Sequence, residues 1–78
     1  MKYKPIDYHI IENDFILGKE LQNISYSEIT ARIIDTTKDS IKLLVSDSKT
    51  DESADEWYNK KSINDFWQLV EGRIKKWN

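Results

Sequence analysis

The chain has 78 residues, of which 38% are hydrophobic and 33% charged, and its formal net charge is -2. This length accommodates one small hydrophobic core, so we predict a single domain over residues 1–78. With no cysteine, the composition excludes disulfides, thiolate zinc sites and cysteine nucleophiles. No apolar run is long enough for a signal peptide or a membrane span, and we expect a cytoplasmic protein without a membrane partner.

The first third of the chain predicts two short strands. The segments IDYHII (residues 6–11) and DFILGKEL (residues 14–21) are rich in apolar residues. The polar residues Glu12 to Asp14 between them fit a turn. We expect His9, the only histidine, to be an ordinary residue of the first of these strands.

The clearest structural signal is a β-hairpin between residues 29 and 46. Apolar and polar residues alternate along both halves, which is typical of strands with one buried face. The apolar positions are Ile29, Ala31, Ile33, Ile41, Leu43 and Val45, and a polar turn is expected over residues 35–40. An alternative is a helix that begins at Tyr26, because Ser25 and Glu28 match a capping box. The β-branched residues that follow favour the strand over residues 25–36.

After this hairpin, residues 47–56 (DSKTDESADE) are interpreted as a solvated polar loop and residues 56–59 as a short strand with an aromatic side chain facing inward. The loop carries oxygen donors at alternating positions, as a calcium-binding loop does. Its third, sixth and twelfth positions are Lys49, Glu52 and Tyr58, where such a loop needs an oxygen ligand, a glycine and a bidentate glutamate. We therefore predict no metal site and no cofactor.

The C-terminal third predicts an amphipathic helix that begins at Ile63, preceded by the N-cap-like pair Ser62 and Asp65. At about 100° per residue, six apolar residues fall on one face. They are Ile63, Phe66, Trp67, Val70, Ile74 and Trp77. A helix that ends at Gly72 and is followed by a strand is the alternative, but the apolar face continues and favours one helix up to Lys76. The aromatic residues of this face are expected in the core, opposite the lysines.

These elements together predict an α+β fold, a small bent antiparallel sheet of about four strands closed by the C-terminal amphipathic helix. In its pattern of strands and short polar turns, this arrangement is similar to an SH3-like half barrel. The likeness is one of pattern, since no family motif accompanies it.

Catalytic motifs are missing from the sequence. There is no Gly-x-Ser-x-Gly elbow, and two glycines are too few for a phosphate-binding loop. A single histidine cannot form a two-histidine metal site. We therefore expect a protein that is not an enzyme.

The leading functional hypothesis is a protein-interaction module of the inhibitor or adaptor type. Its expected partner is another protein, which docks on the acidic segment or on the edge of the sheet. The residues assigned to this contact are Asp47, Asp51, Glu52, Asp55 and Glu56. The frequent Ile, Lys and Asn residues are typical of an AT-rich coding sequence, and with the short length they suggest an accessory protein of a phage or mobile element.

The alternative is a nucleic-acid-binding domain with a basic C-terminal face. Residues 1–56 hold seven basic and twelve acidic side chains, whereas residues 57–78 hold five basic and two acidic ones. The residues assigned to this face are Lys60, Lys61, Arg73, Lys75, Lys76 and Trp77. Phosphate contacts release counterions, so this hypothesis predicts binding that weakens steeply as the salt concentration rises.

Overall fold

The computed structural model describes residues 8–71, and the structural statements below concern this part of the chain. It contains two short 3-10 helices and five β-strands, and no α-helix. In chain order these are a 3-10 helix at Glu12–Asp14, β1 at Glu20–Asn23, β2 at Ile29–Thr36, β3 at Ser40–Asp47, β4 at Glu52–Asn59, a second 3-10 helix at Lys60–Asp65 and β5 at Trp67–Leu69. Among the described residues, no helix has the length and apolar character needed to cross a bilayer.

All five strands form one open antiparallel sheet in the order β4-β3-β2-β1-β5. Strands β1 to β4 follow one another as a meander, and β5 returns to the free side of β1. The second 3-10 helix connects β4 at one edge with β5 at the other. Within residues 8–71 the sheet therefore has two edges, a long one at β4 and a short one at β5.

The core lies on one face of the sheet and confirms the expected hairpin of β2 and β3. Ala31 pairs with Val45 and Ile33 with Leu43, so the alternating apolar residues of both strands point to the same side. The buried apolar residues are Ile10, Leu21, Ala31, Ile33, Ile41, Leu43, Ile63, Trp67 and Leu69. A register shift between Ile33 and Asp35 marks a bulge in β2, beyond which the pairing continues to Thr36.

The helix considered from Tyr26 onward does not form, and residues 24–28 are instead a turn between β1 and β2. The side chain of Asn23 accepts hydrogen bonds from the backbone N–H groups of Ser25 and Tyr26, at 2.8 and 3.0 Å. The amide of Gln22 donates to three carbonyl oxygens of the same segment and of Ile29. These amide side chains stabilise a turn that directs the chain into β2.

The two strands expected over residues 6–11 and 14–21 are wrong for most of their described length. No strand precedes β1 in the described chain, and His9 lies in a bend. The polar residues between the two segments form the first 3-10 helix, whose Asp14 carboxylate accepts a hydrogen bond from the N–H of Ile11 at 2.9 Å. The apolar residues of this region pack on the core without forming strands, because no neighbouring strand is free to pair with them.

A tight turn at Gly18 leads into β1. The N–H of Lys19 donates to the carbonyl of Ile16 at 3.2 Å, and Gly18 has a φ of 89°. This left-handed conformation favours glycine at the third position of the turn. The N–H of Gly18 then donates to Ile33 and begins the pairing that β1 continues.

The expected α+β fold, a sheet closed like a half barrel by a C-terminal helix, is wrong, because the structure is an open sheet without an α-helix in residues 8–71. The predicted helix is replaced by the second 3-10 helix and β5. Trp67 and Leu69 are buried while Phe66 and Val70 are 48% and 49% exposed, so burial alternates every second residue. Pairing with β1 satisfies the backbone and buries both side chains, which an isolated short helix cannot match.

Three further expectations for the C-terminal helix concern its later residues. The inward positions of Ile74 and Trp77, and the alternative end at Gly72, lie outside the described residues. Nor does the predicted cap pair begin the second 3-10 helix. The side chain of Asn59 caps it instead, accepting a hydrogen bond from the N–H of Lys61 at 2.8 Å.

Candidate functional site

The β3–β4 hairpin gathers the five acidic residues that the sequence assigned to a protein contact. Asp47 ends β3, Asp51 lies in the connecting loop, and Glu52, Asp55 and Glu56 lie on β4. We refer to residues 47–56 as the acidic hairpin. The long polar loop predicted for this range is wrong beyond Asp51, because β4 begins at the next residue. Acidic residues and serine are uncommon in strands, but unbroken pairing with β3 outweighs that preference here.

The loop between the two strands is short and tied down by backbone contacts. Asp51 donates its N–H to the carbonyl of Asp47 at 2.7 Å, and Ser48 donates to Glu28 of the β1–β2 turn at 3.0 Å. Asp51 closes the loop with a φ of 62°, a conformation that aspartate tolerates better than most residues. Within residues 8–71, no group of three or more His, Cys, Asp or Glu side chains is arranged to hold a metal ion.

Carboxylates line β4 on both faces of the sheet. Glu56 is opposite Leu43 and therefore lies on the face that carries the core, as does Glu52, four residues before it. Asp55 lies on the other face, with its carboxylate 3.7 Å from the ammonium of Lys42. Neither Glu52 nor Glu56 forms an ion pair with another described residue. The five side chains thus do not converge on one point but surround an exposed strand.

Two of these carboxylates face each other across the strands. Asp47 and Glu52 are directly paired in the register of β3 and β4. Like charges at opposed positions of a sheet are unfavourable, and no basic side chain among the described residues forms an ion pair with either of them. A cationic group from outside this region would reduce the repulsion.

Tyr58 connects the acidic hairpin with the core. Its hydroxyl donates a hydrogen bond to Glu56 at 2.9 Å, and its ring packs edge-on against Trp67, with centroids 6.0 Å apart. Partial burial raises the pKa of the Tyr58 hydroxyl, and the hydrogen bond and negative charge of Glu56 add to this effect. A hydrogen-bonding contribution from Trp67 acts in the opposite direction. Glu56 is therefore held in place by a residue that is anchored in the core.

Substitution of Tyr58 by phenylalanine is expected to reduce the alkaline loss of stability. Because the folded state holds the phenolic proton more tightly than the unfolded chain, this contribution is complete below the unfolded pKa of about 10 and decreases as the pH rises through the folded pKa. Urea denaturation between about pH 8 and 11 measures it. Tyr26→Phe, at an exposed turn, is the matched control; an identical pH dependence in all three proteins would contradict the role given to Tyr58.

Sequence reasoning did not identify the exposed aromatic residues beside the acidic hairpin. The Phe66 ring lies 5.9 Å from that of Tyr58, and Trp57 is 51% exposed on the opposite face of β4. The ammonium of Lys42 lies 5.8 Å from the centroid of the Trp57 ring. Alternation within ESADEWYN could have indicated that Trp57 and Tyr58 point to opposite faces, but the surrounding acidic residues favoured a loop.

The basic residues of the alternative site are divided by the structure. The Lys60 side chain is only 16% exposed, with its ammonium 3.9 Å from the Glu12 carboxylate and 5.0 Å from the Phe15 ring centroid. Lys61 is exposed, but Glu12 and Asp39 line the same cleft. The remaining assigned residues, Arg73, Lys75, Lys76 and Trp77, lie outside the described residues.

The charge of the described part is strongly negative. Residues 8–71 contain 13 acidic and seven basic side chains. A negative surface disfavours phosphate and favours a basic partner. None of the protein-family models, curated proteins or solved structures compared with the chain matches it.

Proposed function

We propose that this protein is a non-catalytic interaction module that binds a basic segment of another protein through the acidic hairpin. One observation carries the proposal: the fold places five carboxylates and a single lysine, Lys49, within residues 47–56, on a strand with an exposed edge. The module would act as an inhibitor or adaptor, since binding alone gives it an effect.

The energetics of the acidic hairpin support this proposal. The opposed pair Asp47 and Glu52 is unfavourable for folding, so it persists here against the interest of stability. A cationic partner would offset that repulsion, and the concentrated negative field would increase the rate of association. Glu56, held by Tyr58, supplies a carboxylate whose position is already defined before a partner binds.

The cellular setting remains part of the proposal. We infer a cytoplasmic accessory protein of a phage or mobile element from the short chain and its frequent Ile, Lys and Asn residues. Genome context is the test of this origin. A coding region that lies consistently among unrelated housekeeping genes would contradict it.

The acidic hairpin is tested by charge reversal. Glu52→Lys combined with Glu56→Lys is expected to weaken binding of a fluorescein-labelled decalysine probe at least about tenfold, because attraction is replaced by repulsion. Fluorescence anisotropy at about 50 and 200 mM salt measures the affinity, and the wild-type affinity should fall as the salt concentration rises. Both residues are exposed and form no ion pair among the described residues, so the fold should tolerate the change.

The matched control is Asp65→Lys combined with Glu71→Lys, which alters the net charge equally at two exposed positions outside the acidic hairpin. If this control weakens binding as much as the reversed hairpin, total charge rather than the site is responsible and the proposal is wrong. Labelled DNA and RNA, titrated under the same conditions, test the alternative function. Salt-sensitive nucleic-acid binding that survives reversal of the hairpin would favour the basic residues instead.

A further inference from the structure

The long edge of the sheet is open to a further strand. Strand β4 pairs with β3 along all eight residues, without a register shift, and no described strand lies on its other side. In an antiparallel pair, alternate residues of an edge strand direct their N–H and C=O groups away from the partner. About four residues of β4 thus present backbone donors and acceptors to the outside.

The usual obstacles to strand addition are missing from β4. Protected edges carry a proline, a bulge or lysines, or are very short, as β5 is at the opposite edge. Strand β4 has no proline, no basic residue and no bulge. Its only protection is negative charge, supplied by Glu52, Asp55 and Glu56.

This charge selects the kind of strand that can be added. Two copies of β4 pairing with each other would bring carboxylates of one chain against those of the other in the centred registers, for example Glu52 against Glu56 with Ala54 at the centre. Opposed like charges destabilise a strand pair, whereas opposite charges stabilise it. The edge therefore disfavours a second copy of itself and favours a basic strand.

The two faces of β4 define the side chains that such a strand needs. Glu52 and Glu56 lie on one face and Asp55 on the other, so lysine or arginine would be required on both faces of the added strand. Trp57, on the face of Asp55, offers an exposed apolar contact to a neighbouring side chain. The chemistry is that of an extended segment in which basic residues are mixed with β-branched ones.

We propose that β4 accepts an extended, lysine- and arginine-rich segment of a partner protein as an additional strand, joined by main-chain hydrogen bonds. This inference rests on the proposed function and adds to it the mode of binding and the conformation of the partner. Strand addition is a recurring mode of peptide recognition in which the backbone supplies affinity and the side chains supply specificity.

The test uses the full chain and the synthetic peptide acetyl-KVKTRVKT-amide, together with the same peptide N-methylated at its interior residues. N-methylation retains every charge but removes the amide donors. We expect the unmodified peptide to bind at about 50 mM salt and the methylated peptide to bind at least about tenfold more weakly. Amide exchange measured by NMR should slow at alternate residues of β4 when the unmodified peptide binds.

Equal binding of the two peptides, with unchanged amide exchange in β4, would overturn strand addition and leave charge-based docking on the acidic hairpin in place. Binding of decalysine without binding of either peptide would have the same meaning. If neither the peptides nor decalysine binds at about 50 mM salt, both the inference and the proposed function are wrong.

Discussion

Replacement of Trp67 by alanine is expected to lower the free energy of unfolding by about 3–5 kcal/mol. Trp67 is 1% exposed and is the largest fully buried side chain among the described residues. Its loss would remove the edge-on contact with Tyr58 and leave a cavity beneath β5. A domain of this size has a total stability of roughly 5 kcal/mol, so we expect the variant to be largely unfolded at 25 °C.

A second tryptophan provides the matched control. Trp57 lies on the other face of the sheet and is 51% exposed, so Trp57→Ala should cost less than about 1 kcal/mol. Urea denaturation followed by far-ultraviolet circular dichroism compares the two variants. Equal losses of stability would mean that Trp67 is not the centre of the core described here.

Asn64 should be the most sensitive polar position of the second 3-10 helix. Its side-chain oxygen accepts the N–H of Ile10 at 2.8 Å, and its amide donates to the carbonyl of Ile10 at 2.9 Å. The amide thus pairs with the backbone as a neighbouring strand would, across 54 residues of sequence. We expect Asn64→Ala to cost about 2–3 kcal/mol, because both backbone groups of the buried Ile10 lose a partner.

Asn59→Ala is the corresponding control, since Asn59 also accepts a hydrogen bond but caps the exposed start of the same 3-10 helix. Its removal should cost about 1 kcal/mol. Hydrogen exchange at the Ile10 amide distinguishes the two roles, because it should accelerate in Asn64→Ala and stay unchanged in Asn59→Ala. An unchanged Ile10 amide in both variants would show that Asn64 does not hold the N-terminal segment on the core.

The two substitutions also bear on the acidic hairpin. The second 3-10 helix joins the edge strand β4 to β5, so its attachment to the core influences how firmly β4 ends. Tyr58 contacts Trp67 and holds Glu56, which connects core packing to one of the proposed binding carboxylates. Binding experiments with these variants therefore have to be performed below their unfolding transitions.

Local pattern predicted the elements whose partners are close in sequence. The β2–β3 hairpin was predictable because alternation along Ile29 to Ile33 and Ile41 to Val45 is strong and a short turn brings the two strands together. The acidic residues of the candidate site were identified as a set for the same reason, since charge is read directly from composition. Their assignment to a protein contact stays a prediction.

Long-range pairing explains the errors. The segment from Ile63 to Trp67 satisfies a helical period on paper, yet β5 forms because β1, some 45 residues earlier, offers a free side for pairing. Asp55 and its neighbours have low strand preference and were assigned to a loop, yet β3 holds them in a strand. Exposed Phe66 and buried Trp67 are adjacent in sequence, and only the strand geometry separates them.

By itself, the sequence determined that this protein has a small cysteine-free core, one clear hairpin and an acidic segment beside it. Only the tertiary structure decided that the acidic segment is an edge strand and that the aromatic C-terminal region forms a 3-10 helix and a strand. The physical reason is that a short segment has little conformational preference of its own, so the backbone partner that it meets decides its structure. That partner is distant in sequence for β5, and for β4 it has to outweigh unfavourable side chains.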